Sequence, residues 1–377
     1  MRKPIFSLSL LALSLMACQS YAFQRQSPGQ SLANARQIRS LNTPMSAAAL
    51  AETRSKVDQV IEGAMAEQQL VGLAVGLVKD GQIIYLKGYG MADRDRGIPV
   101  TEASSFRWAS LSKSVTAVLS MQLLEQGKLN LDVPIQTYWP NYRNVQGWPV
   151  TQRQLLSHLG GVGSYDDVPG WQAGVEAYHQ RALSPVVQGA DMVQASADVF
   201  ASAPLLHKPG QAYRYSTFGS MLAGAIVAKA GQAPFVSQFE QRIKQPLGLT
   251  TLQPDYAPLA IPQRVRGYYR TQGQTQPLQR QDDDVAWKLA GGGFTSTIGD
   301  LTRYMQALIN QELLQGASYQ DMWTPQLTSE GKPTGYALSF GVSGSGDRLK
   351  VGHFGAQEQT RTVMSFLPNQ KLCQRQC

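Results

Sequence analysis

The sequence predicts an α+β fold: an antiparallel sheet built from both chain ends, flanked by helices and carrying a mostly helical insert. Three observations predict it. Residues 71–78 and 82–89 are two strand-like apolar runs on either side of Lys79-Asp-Gly81, a hairpin signal. Residues 336–342, 349–353 and 360–367 alternate apolar and polar as strands do. Between these ends, from Ser104 to about Leu313, helical periodicities and loops dominate, including a long irregular stretch over 160–209 expected to border a substrate cleft. Strands from both ends packed with a helical insert leave a cleft between the two parts.

In chain order, the first 22 residues have the make-up of an export signal: Arg2 and Lys3, an apolar stretch over 5–16, then small residues. That run is shorter than a membrane-spanning helix needs. Leu15-Met-Ala-Cys18 has the form of a bacterial lipobox, in which Cys18 is lipidated and becomes the new N-terminus. The alternative is cleavage after Ala22, with Ser20-Tyr-Ala22 as the small-residue site. Either route leads out of the cytoplasm, and the expected location is the bacterial cell envelope, as a membrane-anchored lipoprotein facing the periplasm. Residues 23–50, rich in Gln, Ser and Asn, form an expected tether. The folded domain is expected over 51–372, followed by an atypical tail, 373–377.

At 377 residues and 43% hydrophobic content, the chain can bury a sizeable core as one large or two interleaved domains. Cys18, Cys373 and Cys377 are its three cysteines, so no disulfide framework supports that core. The net charge of +8, or +6 without Arg2 and Lys3, fits weak attraction to anionic surfaces. Basic residues are dispersed, which excludes a nucleic-acid partner. No H-E-x-x-H, no close histidine pair and no G-x-S-x-G elbow is present, so neither zinc chemistry nor an α/β-hydrolase is expected, and no cofactor.

The chemistry is carried by Ser110-Leu-Ser-Lys113. At i and i+3 of a helix start the hydroxyl and the amine share one face, so a neutral Lys113 can take the Ser110 proton as the hydroxyl attacks a carbonyl. Val115, Val118, Leu119, Leu123 and Leu124 follow with helical spacing, and Gly127 is a stop signal. A second S-x-x-K match, Ser329-Glu-Gly-Lys332, lies in a polar stretch containing Gly and Pro that cannot hold a helix. A free lysine has a pKa of ~10.4, so Lys113 has to be buried to serve as a base.

Five ordered segments agree with one family: residues 106–132 with Gly127-Lys-Leu-Asn-Leu-Asp132, Leu155-Leu-Ser-His-Leu-Gly-Gly161, Pro209-Gly-Gln-Ala-Tyr-Arg-Tyr-Ser-Thr217, Ala290-Gly-Gly-Gly-Phe-Thr-Ser-Thr-Ile-Gly-Asp-Leu301, and Gly352-His-Phe-Gly355. Over residues 70–367 the chain resembles the serine β-lactamase-related family, the group of class C β-lactamases, D-alanyl-D-alanine carboxypeptidases and many esterases and peptidases, with a β-lactamase/transpeptidase-like fold. The S-x-x-K motif of penicillin-recognising enzymes corresponds to Ser110 and Lys113. The family's Y-x-N motif resembles Tyr215-Ser-Thr217, with threonine replacing the asparagine that helps hold the lysine and the substrate. Tyr142-Arg-Asn144 matches the letters, but it sits in what resembles an ordinary loop after the nucleophile helix. The resemblance therefore gives Tyr215 the role of proton shuttle near Ser110 and the leaving group.

The third motif, K-T-G on an edge strand, appears as His353-Phe-Gly355. By resemblance, Gly355 lets substrate backbone approach, and the backbone N–H groups of Ser110 and Ala356 form the oxyanion hole. An imidazole titrating near pH ~6.5 is mostly uncharged at neutral pH, so His353 grips a carboxylate less firmly than lysine. His158, His179 and His207 read as structural.

The expected function is that of an envelope serine hydrolase working through an acyl-enzyme on a small-molecule or peptide substrate, an ester or an amide. The alternatives are a β-lactamase or D-alanyl-D-alanine carboxypeptidase, and a non-catalytic envelope receptor or scaffold with the same fold. Family members typically continue past Gln370 into one more strand and a helix, whereas this sequence ends at Cys377. The domain is therefore expected to be truncated, with unpaired edges beside the N-terminal hairpin and the 360–367 strand, marginal stability and weak activity.

Overall fold

The computed structural model describes residues 45–182, 192–256, 261–269, 277–279, 284–358 and 360–370. The lipobox with Cys18, most of the expected tether, and the tail with Cys373 and Cys377 lie outside them. Helix α1, Ala47–Gln68, opens the described chain, so residues 47–50 are helical. It is followed by β1, Gly72–Lys79, and β2, Gln82–Asp93. These form the predicted hairpin, pairing Gly76 with Leu86 and Leu73 with Tyr89. Asp80 and Gly81 both take positive φ at its tip, 51° and 74°, the demand of a two-residue type I′ turn.

Alternation along β1 sends its two faces to different partners. Val75 and Leu77 join Ile61 of α1, Tyr85 and Tyr89 in a small core of their own. Asp58 of α1 fastens this layer, accepting hydrogen bonds from Lys87 Nζ at 2.7 Å, from the Tyr89 hydroxyl at 2.6 Å and from the Tyr85 hydroxyl. These donors hold the Asp58 carboxyl far below the usual carboxylate range.

Strand β3, Ile98–Pro99, completes the first sheet in the order β1-β2-β3. β4, Ser105–Arg107, leads to the nucleophile helix α2, Ser112–Glu125. Almost every α2 side chain is buried, and Gly127 at φ 66° ends the run as expected. Then come α3, Gln152–Leu156, α4, Trp171–Ala182, α5, Met192–Phe200, α6, Thr217–Gly231, and α7, Phe235–Phe239. Within the irregular stretch expected over 160–209, the described part carries helices α4 and α5, with irregular chain over 160–164 and 201–209. Phe200 of α5 stacks on Phe218 at 3.7 Å, and Trp171 and Trp287 close around them. These aromatic contacts pack α5 against α6.

The two-residue strands β5, Gln253–Pro254, β6, Tyr268–Tyr269, and β7, Leu278–Gln279, precede α8, Leu289–Gly292, β8, Phe294–Thr297, α9, Ile298–Ile309, and α10, Gly316–Met322. β8 lies between β4 and β5. Helix α9 packs on the other face of the hairpin: a Cβ on Gly76 would collide with Thr302, and the Gln306 and Asn310 amides donate to the Gly81 carbonyl.

The last strands are β9, Gly341–Ser343, β10, Lys350–Gln357, and β11, Thr360–Phe366, in the order β11-β10-β9. Both chain ends thus supply antiparallel strands, as predicted, but divided into two three-stranded sheets, with β1 and β11 each at an edge. The strand expected over 336–342 is shorter: Ser339 at φ 63° breaks the extended backbone, and pairing begins at Gly341. Among the described residues, no helix is long and apolar enough to cross a membrane.

Candidate active site

Strand pairing fixes the nucleophile from behind. β4 pairs with β8 from Ser105 to Arg107, and Trp108 continues the contact, its N–H donating to the Phe294 carbonyl at 2.8 Å and its indole Nε1 to Ser296 at 2.7 Å. Arg107 meets the buried Asp255 at 2.6 Å, which ties the strand end to the loop after β5. The chain then turns sharply at Ala109, whose φ of 47° is a strained conformation for a side chain with a Cβ. Ala109–Leu111 form a single 3-10 turn feeding into α2. Ser110 therefore stands at a helix start, partly exposed, where backbone N–H groups lack intrahelical acceptors.

Lys113 is completely buried one turn on. Its Nζ lies 3.1 Å from Ser110 Oγ and 2.6 Å from the Gly291 carbonyl, and 4.9 Å from the centre of the Tyr215 ring. Burial brings its pKa from 10.5 down to about 7. The Tyr215 hydroxyl donates to Ser110 Oγ at 2.8 Å, and burial pushes that phenol up to about 12. With Lys113 neutral, the protons form one file: Tyr215 O–H to Ser110 Oγ, Ser110 O–H to the lysine lone pair, and a lysine N–H to Gly291. Ser110, Lys113 and Tyr215 are brought together as the sequence reading expected.

Thr217 opens α6 behind Tyr215 and is buried. Its methyl faces Gly291, where a Cβ would lie 3.0 Å away. Here the Gly291 carbonyl anchors the lysine. The Ala290-Gly-Gly-Gly motif was legible, but which of its carbonyls faces Lys113 depends on how α8 meets α2. The rival Tyr142-Arg-Asn144 is a loop support: Tyr142 is buried against Trp139, and Asn144 bonds both the N–H and the carbonyl of Trp148. Lys332 is exposed and pairs with Glu330.

β10 runs past the nucleophile turn. A Cβ on Gly355 would meet Thr362 Oγ1 at 2.0 Å, the Trp108 carbonyl oxygen at 2.5 Å and Ala109 Cβ at 3.1 Å. Glycine at 355 is thus already required by the protein's own Trp108-Ala109 turn. Ala356 follows on the exposed face, paired in register with Arg361. Pairing of β10 with β9 stops at Gly352.

His353 is buried beside this edge. Its Nδ1 lies 2.6 Å from the Phe354 carbonyl, so Nδ1 carries the proton, and Nε2 accepts from the Tyr336 hydroxyl at 2.7 Å. Burial and the nearby Lys113 bring its pKa down to about 3, so the ring is neutral. Arg361 is turned back onto the carbonyls of Gln357 and Thr360. Tyr336, ahead of β9, is thus a partner of the site through His353.

The β-lactamase family model matches residues 57–373. The chain belongs to the β-lactamase family. It is a serine hydrolase by that membership, with esterases and amidases among its relatives and structural neighbours. It is 28% identical over 379 residues to the serine beta-lactamase-like protein LACTB, mitochondrial, of Homo sapiens, over 79% of this chain and 69% of that protein. To esterase EstB of Burkholderia gladioli it is 32% identical over 239 residues, covering 62% and 58%. Among solved structures, EstCE1, a hydrolase with promiscuous acyltransferase activity, superposes with a TM-score of 0.70 at 22% identity, over 87% of this chain and 93% of that one. A D-stereospecific amidohydrolase from Streptomyces gives 0.61 at 23%, over 81% and 88%. At these identities the two structures speak for the β-lactamase-family fold, with its helices and small antiparallel sheets.

Proposed function

We propose that the protein is an exported hydrolase that cleaves small esters or short amides through an acyl-enzyme on Ser110. The observation that carries this reading is the buried, neutralised Lys113 at 3.1 Å from Ser110 Oγ, with the Tyr215 hydroxyl at 2.8 Å from the same oxygen. A pure binding protein has no use for that set, because a buried lysine and a strained turn both cost stability.

In the first step Ser110 Oγ attacks the substrate carbonyl carbon while its proton passes to Lys113 Nζ. Charge collects on the carbonyl oxygen, for which the N–H groups of Ser110 and Ala356 are the donors. Tyr215 then gives its proton to the departing oxygen or nitrogen and regains one from Lys113. Water reverses the sequence: its proton goes to the base, its oxygen bonds the acyl carbon, and Ser110 leaves reprotonated. His353 supplies no charge for a carboxylate, which favours uncharged esters and amides over β-lactams. An esterase among its relatives, and a hydrolase with promiscuous acyltransferase activity and a D-stereospecific amidohydrolase among its structural neighbours, support the same reading.

A fluorophosphonate probe with intact-mass detection tests the assignment. One adduct is expected on the wild type and none on Ser110→Ala. Labelling of Ser110→Ala, or at another serine, refutes it and favours the binder. The envelope location and lipidation at Cys18 rest on the pattern of residues 1–22, and membrane fractionation of wild type against Cys18→Ser tests them.

A further inference from the structure

We infer that His158 is a positioning residue for this reaction, holding Tyr215 against Ser110 by gripping the backbone on both sides of it. The inference rests on the reading of Tyr215 as the acid/base partner. Three contacts converge. The His158 carbonyl accepts from the Arg214 N–H at 2.9 Å, and His158 Nδ1 accepts from the Ser216 N–H at 3.2 Å. The imidazole itself lies against the Tyr215 ring, centroids 4.3 Å apart. Residues 214, 215 and 216 thus all contact one residue, 214 through its backbone carbonyl and 215 and 216 through its ring.

The same ring reaches the other arm of the site. It packs on Tyr336 at 4.9 Å, and Tyr336 is the phenol that donates to His353. Tyr213 closes the box edge-on at 5.9 Å. His158 thus lies between the tyrosine serving Ser110 and the tyrosine serving His353.

Two features separate this from ordinary core filling. His158 holds a left-handed φ of 59°, a conformation that favours glycine or asparagine. Accepting at Nδ1 leaves the proton on Nε2, which is buried with no hydrogen-bond partner among the described residues. A merely structural residue here would gain by being replaced, since a buried unpaired N–H is costly. Burial and the neighbouring Lys113 and His353 keep the ring neutral, as acceptance from Ser216 demands.

The test is a double-mutant cycle on the full chain with a short-chain nitrophenyl ester. His158→Ala removes ring and acceptor, whereas His158→Asn restores an acceptor for Ser216 and tolerates the backbone angle. Expected in an otherwise wild-type protein is a loss in kcat of about 10- to 100-fold for His158→Ala, with KM nearly unchanged and partial recovery in His158→Asn. In a Tyr215→Phe background the same changes should cost less than about twofold, because the hydroxyl they position is gone. Equal losses in both backgrounds overturn the inference, since Tyr215→Phe keeps the ring and hence the packing. Full activity of Tyr215→Phe by itself overturns the acid/base reading and the inference with it. If His158→Ala does not fold, His158→Asn carries the same comparison.

Discussion

Replacing Lys113 by methionine should make the protein more stable at pH 7 while abolishing its activity. Folding buries an amine whose pKa falls from 10.5 to about 7. At about 1.4 kcal/mol per pH unit, that gap is a penalty on the order of 5 kcal/mol. The sign follows from proton counting. Between pH 7 and 10.5 the unfolded chain holds the lysine proton and the folded chain does not, so wild-type stability rises with pH across that window. Below pH 7 both states are protonated and the full penalty remains. Methionine removes the penalty and fills most of the space, but it leaves the Gly291 carbonyl without its donor, a loss of roughly 1 to 3 kcal/mol. The net expectation is a gain of about 2 to 4 kcal/mol at pH 7 that vanishes near pH 10. Guanidinium unfolding of both proteins at the two pH values measures it. A variant no more stable than wild type at pH 7, or an advantage unchanged at pH 10, refutes the claim that Lys113 is enclosed as described.

Three further outcomes are expected. The kcat/KM for a nitrophenyl ester should climb about tenfold per pH unit below 7 and level off above it, with no decline before pH 10, because Tyr215 titrates at about 12 and His353 at about 3; a profile flat through pH 7 removes Lys113 as the base. Gly355→Ala should lose about 1 to 3 kcal/mol of stability and most activity, as its Cβ presses on Trp108 and Thr362, and unchanged melting and turnover would disprove the close approach. Short-chain nitrophenyl esters should be turned over faster than a chromogenic cephalosporin, and the reverse ranking would mean that a cation other than His353 or Arg361 grips the carboxylate.

What the sequence made legible was local. Lys79-Asp-Gly81 fixed a hairpin because its turn geometry is set by two residues, and Ser110 with Lys113 needed only one helical turn to meet. Tyr215 was reachable through motif order, although its 2.8 Å contact with Ser110 spans 105 positions. The misses share a different cause. Gly291 acts through a carbonyl, which every residue possesses, and His158 through a tautomer and a backbone angle, neither of which a letter encodes. The helices within 160–209 are held by aromatic packing among Phe200, Phe218 and Trp287, partners far apart in sequence. The break at Ser339 and the division into two sheets likewise depend on long-range register.

The hairpin's separate core bears on local opening. Ile61, Val75, Leu77, Tyr85 and Tyr89 form a cluster separate from the one enclosing α2. The Asp58 hydrogen bonds join α1 to β2, and none of the hydrogen bonds among Ser110, Lys113 and Tyr215 involves α1. Amides of α1 should therefore exchange with solvent by a partial opening that the amides of α2 do not share, one that breaks the Asp58 bonds before any bond to Ser110.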